Sequence, residues 1–208
     1  WSIATGTTFN LAAGVVVKPG PGDFISVSGS LNVNGTGEAP VVITSQKDDT
    51  VGGDTFHDGN TDAAAPAPGD WEGIYLEPGS DASVLQGLEV RYAGMTNPRN
   101  NSFVDAILIR NGSPTLRDVR IRDVASHGLR ILNGRPTVER VDVQRAGGVP
   151  FYFTLAANPI LTAVTASNNR TEGLWIDGGA LTENRVWAVT SMPYQITTNL
   201  RLGTGATL

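Results

Sequence analysis

Apolar residues alternate with polar residues in many short runs along this chain. Examples are Ile25-Ser-Val27, Leu88-Glu-Val90 and Val119-Arg-Ile121, and glycine, proline, asparagine or aspartate interrupts such runs every few residues. A period of two gives each run one apolar face, which is typical of half-buried β-strands, whereas the spacing of an amphipathic helix is hard to find. The pattern therefore predicts an all-β fold built from many short strands.

The runs recur at a nearly regular interval. Residues 107–121 align with residues 129–143 at an offset of 22, and Pro114 falls on Pro136. The next step along the chain has an offset of 23, and the preceding step has an offset of 31, which places an inserted loop at 93–104. A repeat of this length with no helix in it predicts a solenoid, in which each repeat forms one coil.

Segments of the N-terminal third carry a family resemblance: Gly14-Val-Val-Val-Lys18, Gly29-Ser-Leu-Asn-Val-Asn-Gly-Thr36, Pro40-Val-Val-Ile-Thr-Ser45 and Gly69-Asp-Trp-Glu-Gly-Ile74. Together with the repeat, they make the chain resemble the right-handed parallel β-helix of the pectate-lyase-like superfamily. The N-terminal third is similar to β-helix repeat segments of bacterial secreted and surface proteins. The resemblance spans essentially the whole chain, so we expect a single domain over 1–208 with about seven to eight coils of 22–23 residues. Loop insertions are expected near 46–70 and 93–104.

The two ends of the chain are alike in sequence. Residues 201–208 align with residues 2–9, so that Leu202 falls on Ile3 and Gly205 on Gly6. Neither end shows the pattern of a capping helix, although the open ends of a solenoid normally need a cap. We therefore expect a fragment or repeat unit of a longer protein, which stacks end to end or on neighbouring repeat units.

Stacked coils place residues 22 apart next to each other, at the strand spacing of about 4.8 Å. Four pairs of opposite charge are predicted on this basis: Arg117 with Glu139, Asp118 with Arg140, Arg120 with Asp142, and Asp123 with Arg145. The offset of 31 adds Glu89 beside Arg120 and makes a ladder that spans three coils. We interpret these residues as surface ladders that help to fix the register, and not as catalytic groups.

Three short segments resemble catalytic motifs of β-helix enzymes that degrade polysaccharides, and each departs from its pattern. Arg135-Pro-Thr-Val-Glu-Arg140 is similar to a lyase Arg-x-Pro-x-x-Arg pattern, but its proline stands one place early. Leu174-Trp-Ile-Asp-Gly178 has glycine where a similar lyase segment has histidine, and the Ser-His-Gly run around His127 is a fragment of a hydrolase motif. We therefore expect no catalytic residues. If the chain is an enzyme, the resemblance implies a polysaccharide lyase or a glycoside hydrolase.

Residues 46–72 interrupt the repeat and contain seven acidic residues against one lysine. Within this loop, the run from Asp54 to Asp62 resembles an Asp-x-Asn-x-Asp-Gly calcium turn, although Phe56 replaces the middle ligand. Closely spaced carboxylate and amide oxygens are the ligands that calcium prefers. The candidate metal ligands are Asp54, Asp58, Asn60 and Asp62, and calcium is the only cofactor considered. A solvated acidic loop without a metal is the alternative.

An outward column of cationic and aromatic residues is the other candidate site. Phe151 and Phe153 should face the core, which turns Tyr152 outward. The offsets of 22 and 23 place Arg130 and Trp175 on either side of Tyr152. Exposed aromatic rings stack on sugar faces, so Arg130, Tyr152 and Trp175 form a candidate polysaccharide-binding site. The alternative is plain cation–π stacking on the surface of a sheet.

Composition excludes several classes of protein. The 208 residues carry a net charge of −5, and the acidic loop at 46–72 contributes −6, so the rest of the chain is close to neutral. A weakly acidic chain is not expected to bind nucleic acid, and it is not expected to bind a membrane surface through a polybasic segment. There is no cysteine, which excludes disulfides and thiolate sites. No apolar run is long enough for membrane insertion.

These patterns favour a non-catalytic β-helix that serves as a spacer or an adhesive scaffold, stabilised by calcium. The resemblance implies an extracellular or cell-surface location in a bacterium. The alternative function is binding or degradation of a polysaccharide, with the column or the acidic loop as the site. A fold by itself does not decide between these functions.

Overall fold

The computed structural model describes residues 1–58, 65–95 and 105–208, and these residues form twenty short strands and no α-helix. Every strand pair among them is parallel. The all-β prediction is thereby confirmed, and the arrangement is compatible with a parallel β-solenoid. The described part of the chain has no helix long and apolar enough to cross a bilayer.

Sheet A has eight strands that lie side by side in chain order. They are β1 (Ser2–Ile3), β4 (Ile25–Val27), β7 (Ile74–Leu76), β10 (Ile107–Ile109), β12 (Leu129–Ile131), β14 (Phe151–Phe153), β17 (Leu174–Ile176) and β19 (Tyr194–Ile196). A sheet in which each successive strand is added to the same edge is what a coiled chain produces.

Sheet B has ten strands and runs through the same repeats. They are β2 (Thr8–Ala12), β3 (Val16–Val17), β5 (Ser30–Asn34), β6 (Val41–Ile43), β8 (Val84–Gln86), β9 (Leu88–Arg91), β11 (Thr115–Arg122), β13 (Thr137–Gln144), β15 (Ile160–Thr162) and β16 (Thr165–Ser167). The long strand β11 pairs with both β8 and β9, because two short strands of one repeat merge into one strand in the next. A third, two-stranded sheet C pairs β18 (Gly179–Leu181) with β20 (Leu200–Leu202).

The strand register reproduces the sequence repeat. Ile107 is paired with Leu129, Leu129 with Phe151, and Phe151 with Leu174. All four side chains are fully buried, so they form one column of the hydrophobic core. Phe153 is also buried, which confirms the prediction that both phenylalanines of β14 face inward.

The long strands bend at a left-handed residue that recurs in each repeat. Asp118, Arg140 and Ala163 have φ values of 54°, 51° and 52°, and they follow one another at offsets of 22 and 23. Asp123 and Arg145, both with φ of 54°, form a second column of bends. Left-handed backbone is unfavourable for residues other than glycine, so it persists here because the strands on both sides of the bend are held by pairing.

No strand forms between Ile43 and Ile74 within the described residues, which is the region of the expected insertion at 46–70. Trp71 closes this region and is fully buried, and its indole Nε1 donates a hydrogen bond of 2.8 Å to the carbonyl oxygen of Arg91. Most of the second expected insertion, at 93–104, lies outside the described residues, as do residues 59–64.

Three of the four predicted charge pairs form ion pairs between adjacent strands or at their bends. Nitrogen–oxygen distances are 2.8 Å for Arg117–Glu139, 2.5 Å for Arg140–Asp118 and 2.6 Å for Arg145–Asp123. The predicted three-coil ladder of Glu89, Arg120 and Asp142 is in register but forms no ion pair within the described residues.

The prediction of this ladder is wrong because its two acidic residues have closer side-chain partners. Glu89 is buried and lies 2.9 Å from the Nε of Arg91, two residues along the same face of its strand. Asp142 accepts hydrogen bonds of 2.7 Å from Gln144 and from Thr165. Arg120 is left exposed to solvent.

The expected likeness of the two chain ends is local. Gly6 and Gly205 have φ values of 77° and 80°, and each is followed by the same backbone hydrogen bond, from Thr7 to Ala4 and from Ala206 to Gly203, both 3.1 Å long. The strands before these turns belong to different sheets, since β1 lies in sheet A and β20 in sheet C. Residues 201–208 therefore do not occupy the position in the coil that residues 2–9 occupy.

Candidate functional site

The predicted column of Arg130, Tyr152 and Trp175 lies on the outer face of sheet A. Arg130 is paired with Tyr152, and Tyr152 with Trp175, in adjacent parallel strands. The guanidinium carbon of Arg130 is 4.6 Å from the centre of the Tyr152 ring, which is the geometry of a cation–π contact. All three side chains are half-buried, so one edge of the column faces solvent.

Tyr152 is the centre of this column and is held from several sides. Its hydroxyl donates a hydrogen bond to Oδ1 of Asp177, which follows Trp175 by two residues. The imidazole of His127 is stacked on its ring, with 5.6 Å between centres and 15° between planes. Burial and the bond to Asp177 raise the pKa of Tyr152, so the phenol stays protonated and the ring is fixed in orientation.

His127 is held as a neutral imidazole with a defined tautomer. Its Nδ1 accepts a hydrogen bond of 3.0 Å from the backbone N–H of Val149, so its ring proton resides on Nε2. Burial, with a smaller contribution from the charge of Arg130, lowers the pKa of His127 to about 4. At neutral pH this histidine therefore offers an N–H donor and no charge.

Asp105 is a functional candidate that the sequence analysis missed. It is 2% exposed, and its Oδ2 is 3.9 Å from Nη1 of Arg130. Burial raises the pKa of Asp105 to about 7, although the charges of Arg130 and Arg110 act in the opposite direction. Asp105 precedes His127 by the repeat length of 22, which is the signal that could have found it.

Unpaired buried polar atoms are concentrated in this region. Among the described residues, five buried side-chain polar atoms have no hydrogen-bond partner, and three of them are Oδ1 of Asp105, Nε of Arg130 and Nε1 of Trp175. Buried polar groups are normally satisfied, and each exception needs an explanation, such as a water molecule or a ligand. The column and its neighbours therefore form the best candidate site on sheet A.

The acidic loop brings three carboxylates together. One oxygen of each of Asp49, Asp54 and Asp58 lies within 4.8 Å of the others, which is close enough to share a cation. Two of the four predicted ligands, Asp54 and Asp58, belong to this cluster, and Asn60 and Asp62 lie outside the described residues. Asp49 was not among the predicted ligands.

The donor set of this cluster fits a hard cation, because all three groups offer carboxylate oxygens on a loop that lacks regular structure. A lysine already balances part of the charge. Nζ of Lys18 is 3.9 Å from Oδ1 of Asp49 and donates hydrogen bonds to the carbonyl oxygen of Gly53 and to Thr55.

A neighbouring acid in the same loop has a structural role. Asp48 is fully buried and accepts hydrogen bonds from the hydroxyls of Thr44 and Thr50, at 2.6 and 2.5 Å, and from Nη1 of Arg91 at 3.3 Å. Burial alone would raise the pKa of Asp48, but these hydrogen bonds and the charge of Arg91 outweigh it, and the pKa is lowered. Asp48 thus ties the loop to sheet B as an ionised carboxylate.

The segments that resemble lyase motifs do not converge. Arg140, in β13 of sheet B, is engaged by Asp118 and Glu139. Trp175, in β17, belongs to sheet A, and the nearby Asp177 is engaged by Tyr152. The arginine and the acid that a lyase-like mechanism would combine are therefore positioned on different sheets, each with a protein partner.

A scan against protein-family models, a search of curated proteins and a search of solved structures each returned no match.

Proposed function

We propose that this chain is a non-catalytic scaffold module of a bacterial secreted or surface protein, folded as a right-handed parallel β-helix of the pectate-lyase-like type with seven to eight coils. The observation that carries the proposal is the unbroken register of sheet A, in which eight strands follow one another in chain order. At a strand spacing of about 4.8 Å, such a stack is about 34 Å long. A solenoid of this kind is a rigid spacer that presents its outer faces to partners.

The ion pairs support the same function. Arg117–Glu139, Asp118–Arg140 and Asp123–Arg145 connect adjacent coils on the outer surface. Exposed pairs contribute little to stability, so their main effect is to disfavour a shifted register. Calcium bound by Asp49, Asp54 and Asp58 stabilises the loop at 46–58 in this proposal.

The scaffold proposal is tested by an activity assay together with a shape measurement. The protein is incubated with polyuronates and neutral polysaccharides, and unsaturated products and new reducing ends are measured. We expect no turnover, and small-angle scattering should give a rod whose cross-section and length are unchanged on addition of polysaccharide. Turnover that is lost on Asp105→Asn or His127→Asn substitution would show that the chain is an enzyme.

A second candidate function is polysaccharide binding by the column on sheet A. The specific observation is the contact of Arg130 with the ring of Tyr152, in register with the indole of Trp175. Planar groups in a row at the strand spacing offer successive sugar rings a surface on which to stack. Glycan-array binding tests this function. Trp175→Ala should abolish the signal, whereas Trp1→Ala, which removes an exposed tryptophan far along sheet A, should preserve it.

A further inference from the structure

A pocket of about 260 Å³ lies between consecutive repeats at the edge of sheet A, next to the column described above. Its walls come from the turn at 125–127, the turn at 147–149, the segment at 170–171 and Trp175. The turns at 125–127 and 147–149 are equivalent in the repeat, being 22 residues apart. The pocket therefore lies where two consecutive repeats stack closely. The following repeat is joined to them by hydrogen bonds from the backbone N–H of Arg170 to the carbonyl oxygen of Ala146 and from the hydroxyl of Thr171 to that of Gly148.

Two glycines allow this close stacking. A Cβ atom at Gly147 would lie 2.3 Å from the carbonyl oxygen of Ala125, and one at Gly148 would lie 2.5 Å from Nδ1 of His127. Any side chain at Gly148 would displace the imidazole and break its bond to Val149. The glycines thus fix the position of His127 at the pocket wall.

Two side chains at the pocket can offer donors to a ligand, those of His127 and Arg170. Since Nδ1 of His127 accepts from Val149, its Nε2 carries the proton and has no partner among the described residues. Arg170 is exposed, and its guanidinium forms no ion pair within the described part of the chain. The hydroxyl of Thr171 is already engaged, because it donates to the carbonyl oxygen of Gly148.

The charge at the pocket has one sign. No aspartate or glutamate is among the residues that form its walls. Arg170 stands at the wall itself, and Arg130 is close enough to His127 to act on its titration. Asp177 is bonded to the hydroxyl of Tyr152, and the buried Asp105 lies 3.9 Å from Arg130, whereas Arg170 has no ion pair within the described residues. An anion therefore has two donors and an uncompensated positive charge to bind.

The rest of the wall is apolar, and it includes Ala125, Val149 and the indole of Trp175. An apolar wall beside convergent donors suits a ligand with an acidic head and a flat apolar body. A free sugar ring fits less well, because its hydroxyl groups would lose their hydrogen bonds to water against this wall.

We propose that this pocket binds a small aromatic carboxylate, with Arg170 and Nε2 of His127 bonding the carboxylate and the indole of Trp175 contacting the ring. A guanidinium and an imidazole N–H form charge-assisted hydrogen bonds with a carboxylate, which are stronger than bonds between neutral groups. The pocket shares Trp175 with the column, but the proposal does not depend on the scaffold function or on polysaccharide binding.

Isothermal titration calorimetry with benzoate tests the proposal, with benzamide as the uncharged analogue and glucuronate as the acidic sugar. We expect benzoate to bind about tenfold or more tightly than either comparison compound, the size expected for one charge-assisted bond. No heat with benzoate, equal affinity for benzamide, or tighter binding of glucuronate would each overturn the proposal.

Two variants test whether the ligand binds in this pocket. Arg170→Gln should weaken benzoate binding by about tenfold or more. His127→Asn should weaken it as well, because the amide oxygen can still accept from Val149 while the Nε2 donor is lost. Arg135→Gln is the matched control, since Arg135 is also exposed and its side chain has no ion pair within the described residues. Unchanged binding in Arg170→Gln, or an equal loss in Arg135→Gln, would overturn the assignment. Thermal unfolding of each variant verifies that it is folded.

Discussion

Asp118 and Arg140 occupy the same place in consecutive repeats, share a left-handed backbone conformation and join their side chains in a two-point ion pair. Nε and Nη2 of Arg140 lie 2.5 and 3.1 Å from the two oxygens of Asp118. Arg140 also contacts Glu139. The bend that turns these residues outward thus brings the carboxylate and the guanidinium of neighbouring repeats together.

Loss of this pair should have a small effect that depends on pH. The hydrogen bond from Arg140 lowers the pKa of Asp118 in the folded protein. Its contribution to stability is therefore complete above the unfolded pKa of about 3.9 and is lost as the pH falls through the lowered folded value. At pH 7, Arg140→Gln should lower the free energy of unfolding only slightly, because the pair is exposed to solvent. Urea unfolding at pH 7 and pH 3 measures the effect.

The difference between Arg140→Gln and the unmodified protein should shrink at pH 3 and in high salt. Arg135→Gln is again the control, and it should leave the free energy of unfolding unchanged at both pH values. An equal loss in the free energy of unfolding at pH 7 and pH 3 would mean that Arg140 stabilises the fold through packing of its aliphatic side-chain carbons and not through its charge.

The bends themselves predict opposite effects of two similar substitutions. Ala163 has φ of 52°, whereas Ala166, in β16, lies in an ordinary strand. Ala163→Gly should raise the free energy of unfolding by up to about 1 kcal/mol, because it relieves left-handed strain. Ala166→Gly should lower it by about 1 kcal/mol or more, because glycine has an entropic cost and the methyl group that packs against the core is lost. Chemical denaturation of both variants tests this, and a loss of stability in Ala163→Gly would contradict it.

The repeat made much of the fold predictable. In parallel strands the offset decides which residues are neighbours, so an interval of 22–23 was enough to align Arg130, Tyr152 and Trp175. The repeat interval does not indicate which side chains pair within one strand. For this reason the pairing of Glu89 with Arg91 instead of Arg120 was not predicted.

The other features of the site depend on which groups the fold buries, and the repeat interval does not predict burial. In the sequence, nothing distinguishes Asp105 from other acidic residues beside a loop. The structure shows that it is buried and that one of its carboxylate oxygens has no partner among the described residues. The tautomer of His127 likewise follows from the backbone N–H of Val149, which becomes a neighbour only when two turns stack across Gly148.

Asp105 should make the protein less stable as the pH rises. Burial raises its pKa to about 7 in the folded state, so between about pH 4 and pH 7 the folded protein binds a proton that the unfolded chain has lost. Stability is therefore greatest below this window and falls as the pH rises through it. This decrease in the free energy of unfolding amounts to up to about 4 kcal/mol, and Asp105→Asn should remove it.

Urea unfolding of both proteins at pH 5 and pH 8 provides the measurement. Asp105→Asn should be more stable than the unmodified protein at pH 8 and similar to it at pH 5. Asp81→Asn is the control for removing one negative charge, because Asp81 is exposed and, among the described residues, accepts a hydrogen bond from the backbone N–H of Ser113 and from no other group. An equal gain in both variants would show a general charge effect.

Asp48 should be the acid of the 46–58 loop whose removal costs most in stability. Its carboxylate is fully buried and satisfies two threonine hydroxyls and Arg91. Asp48→Ala leaves these donors without their acceptor, and we expect a loss of about 2–4 kcal/mol in the free energy of unfolding. Asp48→Asn retains one acceptor oxygen and should lose less. Limited proteolysis should cut Asp48→Ala within the loop first, and an uncut loop would contradict the role of Asp48 as its anchor.

Calcium should bind at Asp49, Asp54 and Asp58 and protect the same loop. Three carboxylates whose oxygens lie within 4.8 Å repel one another, and a divalent cation that bonds all three relieves this repulsion. Calorimetric titration with calcium should give a single site, and saturating calcium should raise the thermal unfolding temperature, because a ligand of the folded state stabilises it. Asp54→Asn combined with Asp58→Asn should abolish the heat, whereas Glu38→Gln, at an exposed acid outside the loop, should leave it unchanged. Absence of heat with the unmodified protein would contradict calcium binding and leave Lys18, 3.9 Å from Asp49, as the cation beside this cluster among the described residues.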